Sequence, residues 1–389
     1  MPSVLLRKNI SSRVVDGHPW IYNNEVEKLD GPVEDGAIVD ILTGAGKFLG
    51  KAYYNSRSQI VARILTRKKE DIDDAFFQKR LEQAWQYRKQ MGYVENCRLV
   101  FGEADQLPQL IIDKFNDYFV IQTLALGMDR WKPAIVKALN NIFNPKGIVE
   151  RNDVPVRELE GMQQQKGFLS EPFDPEIVIR ENGINFHVDL MNGQKTGYFL
   201  DQQDNRQWLS RIVGGADVLG AFCYTGTFEI HAAQYGAKSV LGLDISAPAV
   251  EMARRNAALN NLSDRCRFES VNAFDQLKQW SKEQKVWDVV MLDPPAFTKS
   301  REQVAKAVTG YKEINLRGMK LVKPGGFLVS SSCTSLVSPE LFIQTLKDAA
   351  KDAKRRVKQL CLQSQSLDHP IVWGLENTHY LKFVVLQVE

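Results

Sequence analysis

Cysteine and histidine are both scarce in this chain of 389 residues, with five of each. The cysteines (Cys97, Cys223, Cys266, Cys333 and Cys361) are odd in number and include no CxxC pair, which disfavours a disulfide scaffold and a structural zinc site. The histidines (His18, His187, His231, His369 and His379) show neither metal nor triad spacing, so no metal is expected. No run of about 18 apolar residues occurs, and no membrane-spanning segment is expected. The opening MPSVLLRKNI lacks the apolar stretch of a secretory signal, which makes a reducing cytoplasm the expected setting. An excess of one charge is also lacking: 50 basic against 47 acidic residues leave +3. Affinity for an anionic polymer must then come from local clusters.

What is present is an ordinary globular composition, 44% apolar and 25% charged, long enough for two or three domains. Residues 1–72 read as short strands (Ala37–Leu42, Lys47–Tyr54, Gln59–Thr66) broken by Gly31-Pro32, Gly36, Gly44 and Gly46, the pattern of a small β-barrel. Basic residues Arg7, Lys8, Arg13, Lys51, Arg57, Arg63, Arg67, Lys68 and Lys69 occur there beside Trp20, Tyr22, Tyr53 and Tyr54. That mixture suits RNA phosphates and stacked bases as well as a solvated surface. Residues 73–174 read as a small α/β middle domain. It has an amphipathic helix over Ala75–Met91, strands at Leu110–Asp113 and Tyr118–Leu124 joined across Asn116-Asp117, a helix over Trp131–Phe143 and a strand at Gly147–Arg151. From 175 to 389 a hairpin over Asn182-Gly183 precedes alternating strands and helices. The strands are Asp217–Phe222, Ser239–Asp244, Cys266–Ser270, Val286–Leu292 and Gly326–Ser331; the helices are Ala247–Asn261 and Arg301–Leu321. This order implies a doubly wound parallel sheet of Rossmann type, with Tyr380–Val388 as a late antiparallel strand at its edge.

The chemistry is expected at the C-terminal ends of those strands, where such sheets bind ligands. The first strand runs into Phe222-Cys223-Tyr224-Thr225-Gly226, in which Gly226 permits close backbone approach; this stretch is neither GxGxxG nor a P-loop. Asp244 ends the next strand and can bind both hydroxyls of a ribose. A helix cap is the bland alternative. Asn272 and Phe274 follow the third strand, where they can meet an adenine, or where Phe274 is simply core. The fourth strand ends in Asp293-Pro294-Pro295-Ala296-Phe297. The prolines fix the backbone, so the acid is held rigidly enough to grip the edge of a nucleobase while Phe297 stacks on it. Cys333 lies in Ser330-Ser331-Ser332-Cys333-Thr334-Ser335, just past the strand expected beside the fourth. A buried cysteine is usually a small hydrophobe, but one among five hydroxyl residues beside Asp293 reads as a nucleophile. Cys223 is the rival thiol, inside the ligand loop.

Taken in order, these segments resemble the bacterial large-subunit rRNA cytosine-5 methyltransferases that carry an N-terminal PUA domain. The resemblance covers essentially the whole chain. It includes His18-Pro19-Trp20-Ile21-Tyr22, Phe101 to Pro108 (FGEADQLP), Lys195 to Gln202 (KTGYFLDQ), Phe222 to Gly226, Asp293-Pro294-Pro295 and Ser332-Cys333-Thr334. It implies a Rossmann-like methyltransferase domain preceded by a PUA barrel and a small α/β domain, S-adenosylmethionine (SAM) as cofactor and 23S rRNA as substrate. It further implies a cofactor site lined by Tyr198, Phe199, Asp201, Arg206, Phe222, Tyr224, Thr225, Gly226, Asp244 and Asn272. Asp293, Pro294, Pro295 and Phe297 would hold the base, and Cys333 would attack it. Three positions depart from the family. Gly220 stands where a relative often carries Asp or Asn, Asn272 replaces a common Asp, and Ala296 stands where many RNA cytosine-5 enzymes have a second cysteine. Two other functions fit part of the pattern: methylation of a base nitrogen such as guanine N7, which needs no thiol, and a non-catalytic RNA-binding assembly factor.

Overall fold

The computed structural model describes residues 2–8, 12–298 and 300–389. The chain forms two compact units. One comprises residues 1–177, 188–200 and 367–378; the other comprises 178–187, 201–366 and 379–389.

The first unit carries two sheets. The N-terminal one has six strands, in the order Trp20–Ile21, Ala62–Thr66, Phe48–Tyr54, Ile38–Leu42, Ser3–Leu6, Val26–Asp30. Its alternating apolar residues, among them Val4, Leu6, Val39, Ile41, Ala52 and Ile64, form its core. Some of the basic and aromatic residues there serve the interior instead of a surface. Arg63 is buried and donates to Glu160 at 2.9 Å. Tyr53 is buried and donates to the Pro108 carbonyl at 3.1 Å. Arg57, Arg67, Lys68 and Lys69 stay exposed. The second sheet has five strands, in the order Gln165–Phe168, Gly147–Asn152, Tyr118–Thr123, Leu110–Phe115, Asn96–Phe101. Two helices, Asp74–Gln90 and Lys132–Phe143, pack on each other and add Phe77, Leu81, Ile135 and Leu139 to its core. Asp73 caps the first of these by accepting from the Phe76 amide at 2.9 Å.

The second unit is built on seven strands: β1 (Asp217–Ala221), β2 (Ser239–Asp244), β3 (Cys266–Ser270), β4 (Trp287–Leu292), β5 (Val322–Ser332), β6 (Val357–Gln363) and β7 (Lys382–Val388). Their spatial order is β3-β2-β1-β4-β5-β7-β6, and β7 runs antiparallel to both its neighbours. The order reverses between β1 and β4, the switch point at which doubly wound sheets bind ligands. Helices α1 (Thr227–Gln234), α2 (Ala247–Leu259), α3 (Ala273–Lys282), α4 (Val304–Leu321) and α5 (Pro339–Ala353) connect the strands. Leu219, Val290, Leu292, Tyr311, Ile314, Leu328, Phe342 and Val384 are fully or almost fully buried in its core. The late strand expected at the edge is instead second from it, because β6 pairs outside β7. Among the described residues no helix is long and apolar enough to cross a membrane.

Candidate active site

Register alone brings the main candidates together. In the parallel β4–β5 pair, Leu292 faces Ser330. Asp293 leaves β4 level with Ser331, and Cys333 follows two residues later. The Cys333 thiol lies 3.8 Å from the Pro294 carbonyl. Pro294 is buried, Pro295 is exposed, and Cys333 is half-buried. Gln202 donates to Asp293 Oδ1 at 3.0 Å and to Ser331 Oγ at 3.4 Å. Desolvation, with like charge from Asp201, pushes the Asp293 carboxyl up to about 6; Arg206 and hydrogen bonds from Ser331 and Gln202 pull the other way.

A residue that the sequence reading did not single out completes this group. Lys382, on β7, is buried and donates to the Thr334 carbonyl at 2.7 Å and the Tyr380 carbonyl at 2.9 Å. Burial lowers it to about 8, against the charge of nearby Cys333. A single lysine in the apolar run LKFVVLQV was the available signal. Tyr311, on α4, donates to or accepts from Thr334 Oγ1 at 2.8 Å. Its ring lies 4.4 Å from that of Phe297, which continues through Phe274 to Phe222 as an aromatic row. Phe297 is half-buried, and one side of its ring is already packed.

The loop after β1 is locally strained. Phe222, Tyr224 and Gly226 have φ of 66°, 47° and 77°, a left-handed conformation that costs non-glycine residues free energy and gathers at functional sites. The Cys223 amide donates to the Leu243 carbonyl at 2.9 Å, and the Tyr224 amide to Asp244 Oδ2 at 2.9 Å. Asp244 Oδ1 also accepts from the Ser246 amide at 2.9 Å, tying the two strand ends together. Gly226 is required by its φ and by packing: a Cβ there would lie 2.8 Å from the Phe268 ring and 2.9 Å from Ala253. The close approach it permits is to the protein's own side chains. Thr225 is buried, and its carbonyl accepts from Asn256 at 3.1 Å. Cys223 is buried and faces the core beside Gly242, where burial drives its thiol well above its ordinary range.

Other candidates have structural duties. Asn272 is exposed and caps α3, accepting from the Phe274 amide at 3.0 Å. Arg206 is buried, with its guanidinium on both oxygens of Glu181 at 2.7 and 2.9 Å. Asp201 is buried and accepts from the Tyr380 hydroxyl at 2.7 Å. Tyr198 and Phe199 belong to the first unit; Tyr198 is buried there, and Lys195 lies 4.7 Å over the Phe199 ring. A cleft of about 540 Å³ between Asn182, Trp208, Arg211 and Tyr235 contains none of these candidates.

Whether the second unit suits SAM, a ligand with cationic groups, is tested by its buried charge. Glu229, in the first turn of α1, is 2% exposed, and its Oε2 has no hydrogen-bond partner among the described residues. Asp293 and Asp244 add negative charge around it. A buried, partly unsatisfied carboxyl beside the β1 loop, with two further acids acting on it, fits such a ligand.

Comparison with known proteins agrees. A family model described as S-adenosylmethionine-dependent methyltransferase matches residues 165–361, and a PUA-like domain matches residues 4–67. Proteins named ribosomal RNA large subunit methyltransferase I are 38% identical in Tolumonas auensis, over 99% of both chains, and 39% identical in Shewanella denitrificans, over 95% of both. Among solved structures, the methyltransferase SMU.776 complexed with SAH superposes with a TM-score of 0.85 at 21% identity over the whole of both chains. A SAM-dependent methyltransferase from Streptococcus mutans gives 0.83 at the same identity and coverage. These two likenesses establish the fold.

Proposed function

The chain belongs to the ribosomal RNA large subunit methyltransferase I family, and from that premise we propose that it methylates C5 of a cytosine in 23S rRNA through a covalent adduct with Cys333. SAM-dependent methylation of rRNA follows from the family itself. The choice of carbon over nitrogen rests on one observation: a thiol, Cys333, lies 3.8 Å from the carbonyl of Pro294 in the turn that presents Asp293.

Cytosine C5 is a poor nucleophile, and a thiolate bonding to C6 makes it an enamine carbon, dividing one hard step into two easier ones. Lys382 supports the thiolate as a buried cation close enough to feel the charge of Cys333. Asp293, held near 6, shares a proton with N3 and so limits the charge that builds on the ring. Bound SAM supplies an electrophilic methyl group. A base such as water takes the C5 proton as the C6–S bond breaks, and Cys333 leaves as the thiolate, restoring the aromatic ring. Pro294 and Pro295 keep Asp293 in place, and Phe297 offers the base an aromatic neighbour. Tyr224, Thr225, Gly226 and Asp244 shape the cofactor side, with Phe222, Asp201, Arg206 and Asn272 supporting it.

The target has to be unstacked or single-stranded to reach such a site. In this reading residues 1–72 grip RNA through exposed Arg57, Arg67, Lys68 and Lys69, residues 73–174 form a middle domain, and residues 175–389 carry the chemistry. Cys333→Ala abolishes methyl transfer and leaves SAM binding nearly intact, and RNA containing 5-fluorocytosine traps the wild type covalently. Near-normal turnover by the alanine variant would overturn the covalent scheme. Methylguanine in the product digest would assign the enzyme to nitrogen, and SAM binding without any methyl transfer would mark an assembly factor.

A further inference from the structure

Gly220 and Glu229 occupy one another's space. A Cβ built on Gly220, in β1, would lie 1.8 Å from Glu229 Oε1 and 2.7 Å from its carboxyl carbon. The Glu229 carboxyl therefore sits where a side chain at position 220 would be, the position at which the resembled family often has Asp or Asn. It is almost completely buried, and its Oε2 has no hydrogen-bond partner among the described residues. Native proteins rarely leave a buried acceptor unmatched, because an unmade hydrogen bond costs about 1–3 kcal/mol. The charged groups that act on it are Asp293 at the end of β4, Asp244 at the end of β2 and Arg206 before β1, together with the thiols of Cys223 and Cys266. Two of the three charged neighbours are acidic and lie at the ends of β2 and β4, the strands on either side of β1.

We propose that Glu229 is a cofactor-binding residue: its carboxylate, reaching from α1 into the space that a side chain at position 220 would fill, receives a cationic group of SAM. The proposal rests on SAM binding and is independent of Cys333 and of the base methylated. In the ligand-free protein, burial and the neighbouring carboxylates keep Glu229 protonated up to about 8. Arrival of a cation favours the charged form, so the proton leaves. No covalent step is involved.

Calorimetry separates the possibilities with three ligands: SAM, which has an ammonium and a sulfonium; S-adenosylhomocysteine, which keeps only the ammonium; and 5′-methylthioadenosine, which has neither. Glu229→Gln weakens SAM roughly ten- to a hundredfold, the range of one charge-assisted hydrogen bond, and leaves methylthioadenosine unchanged. Equal weakening of SAM and S-adenosylhomocysteine assigns the contact to the ammonium; weakening of SAM alone assigns it to the sulfonium. Titration at pH 7 in buffers of different ionisation enthalpy shows the wild type releasing about one proton more than the variant on binding SAM. Glu229→Ala also loses affinity, and Gly220→Asp/Glu229→Ala regains it. Equal weakening of all three ligands, unchanged proton release or a double variant no better than Glu229→Ala would overturn the assignment. A wild type that binds none of the three would refute the cofactor reading itself.

Discussion

Replacing Glu229 by glutamine changes how stability depends on pH, and the size of the change follows from burial. The carboxyl is buried in the folded protein and held up to about 8, whereas its ordinary value is 4.5. Between those values the unfolded chain has released the proton and the native protein retains it. The unfolded state then binds fewer protons, so unfolding becomes easier as pH rises, by about 1.4 kcal/mol per pH unit. The stabilisation is complete below about 4.5 and is lost as pH climbs to about 8; beyond that both states are ionised and the contribution is flat. From pH 5 to pH 8 this one group removes about 3–4 kcal/mol. Glutamine has no proton to release, so its stability curve lacks that slope.

The assay is urea unfolding of wild type and Glu229→Gln at half-unit intervals from pH 5 to 9, without cofactor, reading the difference in free energy. Glutamine's own hydrogen bonds add only an offset that does not vary with pH, so the slope of the difference is the measured quantity. Asp293, raised to about 6, and His231, lowered to about 3, titrate in both proteins and cancel to first order. The difference should widen in favour of the variant up to about pH 8 and then level off. Parallel curves across the range would show that Glu229 is ionised in the native protein and would refute the burial argument.

Two further predictions concern other buried charges. Lys382→Met, which removes the cation acting on Cys333, slows alkylation of Cys333 by iodoacetamide at pH 8 roughly tenfold, and Lys382→Arg recovers much of the rate; equal rates in all three proteins would exclude an electrostatic role. Glu181→Gln leaves the guanidinium of Arg206 buried without its carboxylate partner and costs about 3–5 kcal/mol in urea unfolding; a loss below about 1 kcal/mol would mean that Arg206 is compensated elsewhere.

The edge at which the parallel strands end was legible because its rules are local and directional. Each parallel strand reads as a short apolar run, and the residue that follows emerges at the ligand-binding edge. Hence the positions of Asp244, Asp293 and Cys333 at the strand ends were readable, and the β4–β5 register brings the last two to the same edge. Residues whose duty depends on distant partners were not. Arg63 and Tyr53 look like surface residues of a basic barrel, but a carboxylate and a carbonyl about a hundred and about fifty residues away hold them inside. Strand β6 was overlooked because, in VKQLCLQ, only Cys361 is buried. An edge strand with little apolar alternation gives no period to read.

Gly220 shows most clearly how a local reading falls short. Taken by itself, a glycine at this position lacks the polar side chain that the resemblance leads one to expect. The fold returns a carboxyl to the same place from Glu229, nine residues further along the chain. A carboxylate reaching from the first turn of a helix is favoured by the helix dipole; one held rigidly on β1 would lack that support. Burial opposes ionisation more strongly, so the free protein keeps the group neutral until a cation arrives. Exchange of the two positions also couples them. Gly220→Asp alone would drive a side chain into Glu229 and should destabilise the fold, whereas the same change beside Glu229→Ala has room. A double-mutant cycle on stability should therefore be strongly non-additive, and additivity within about 0.5 kcal/mol would mean that the two positions do not share one space.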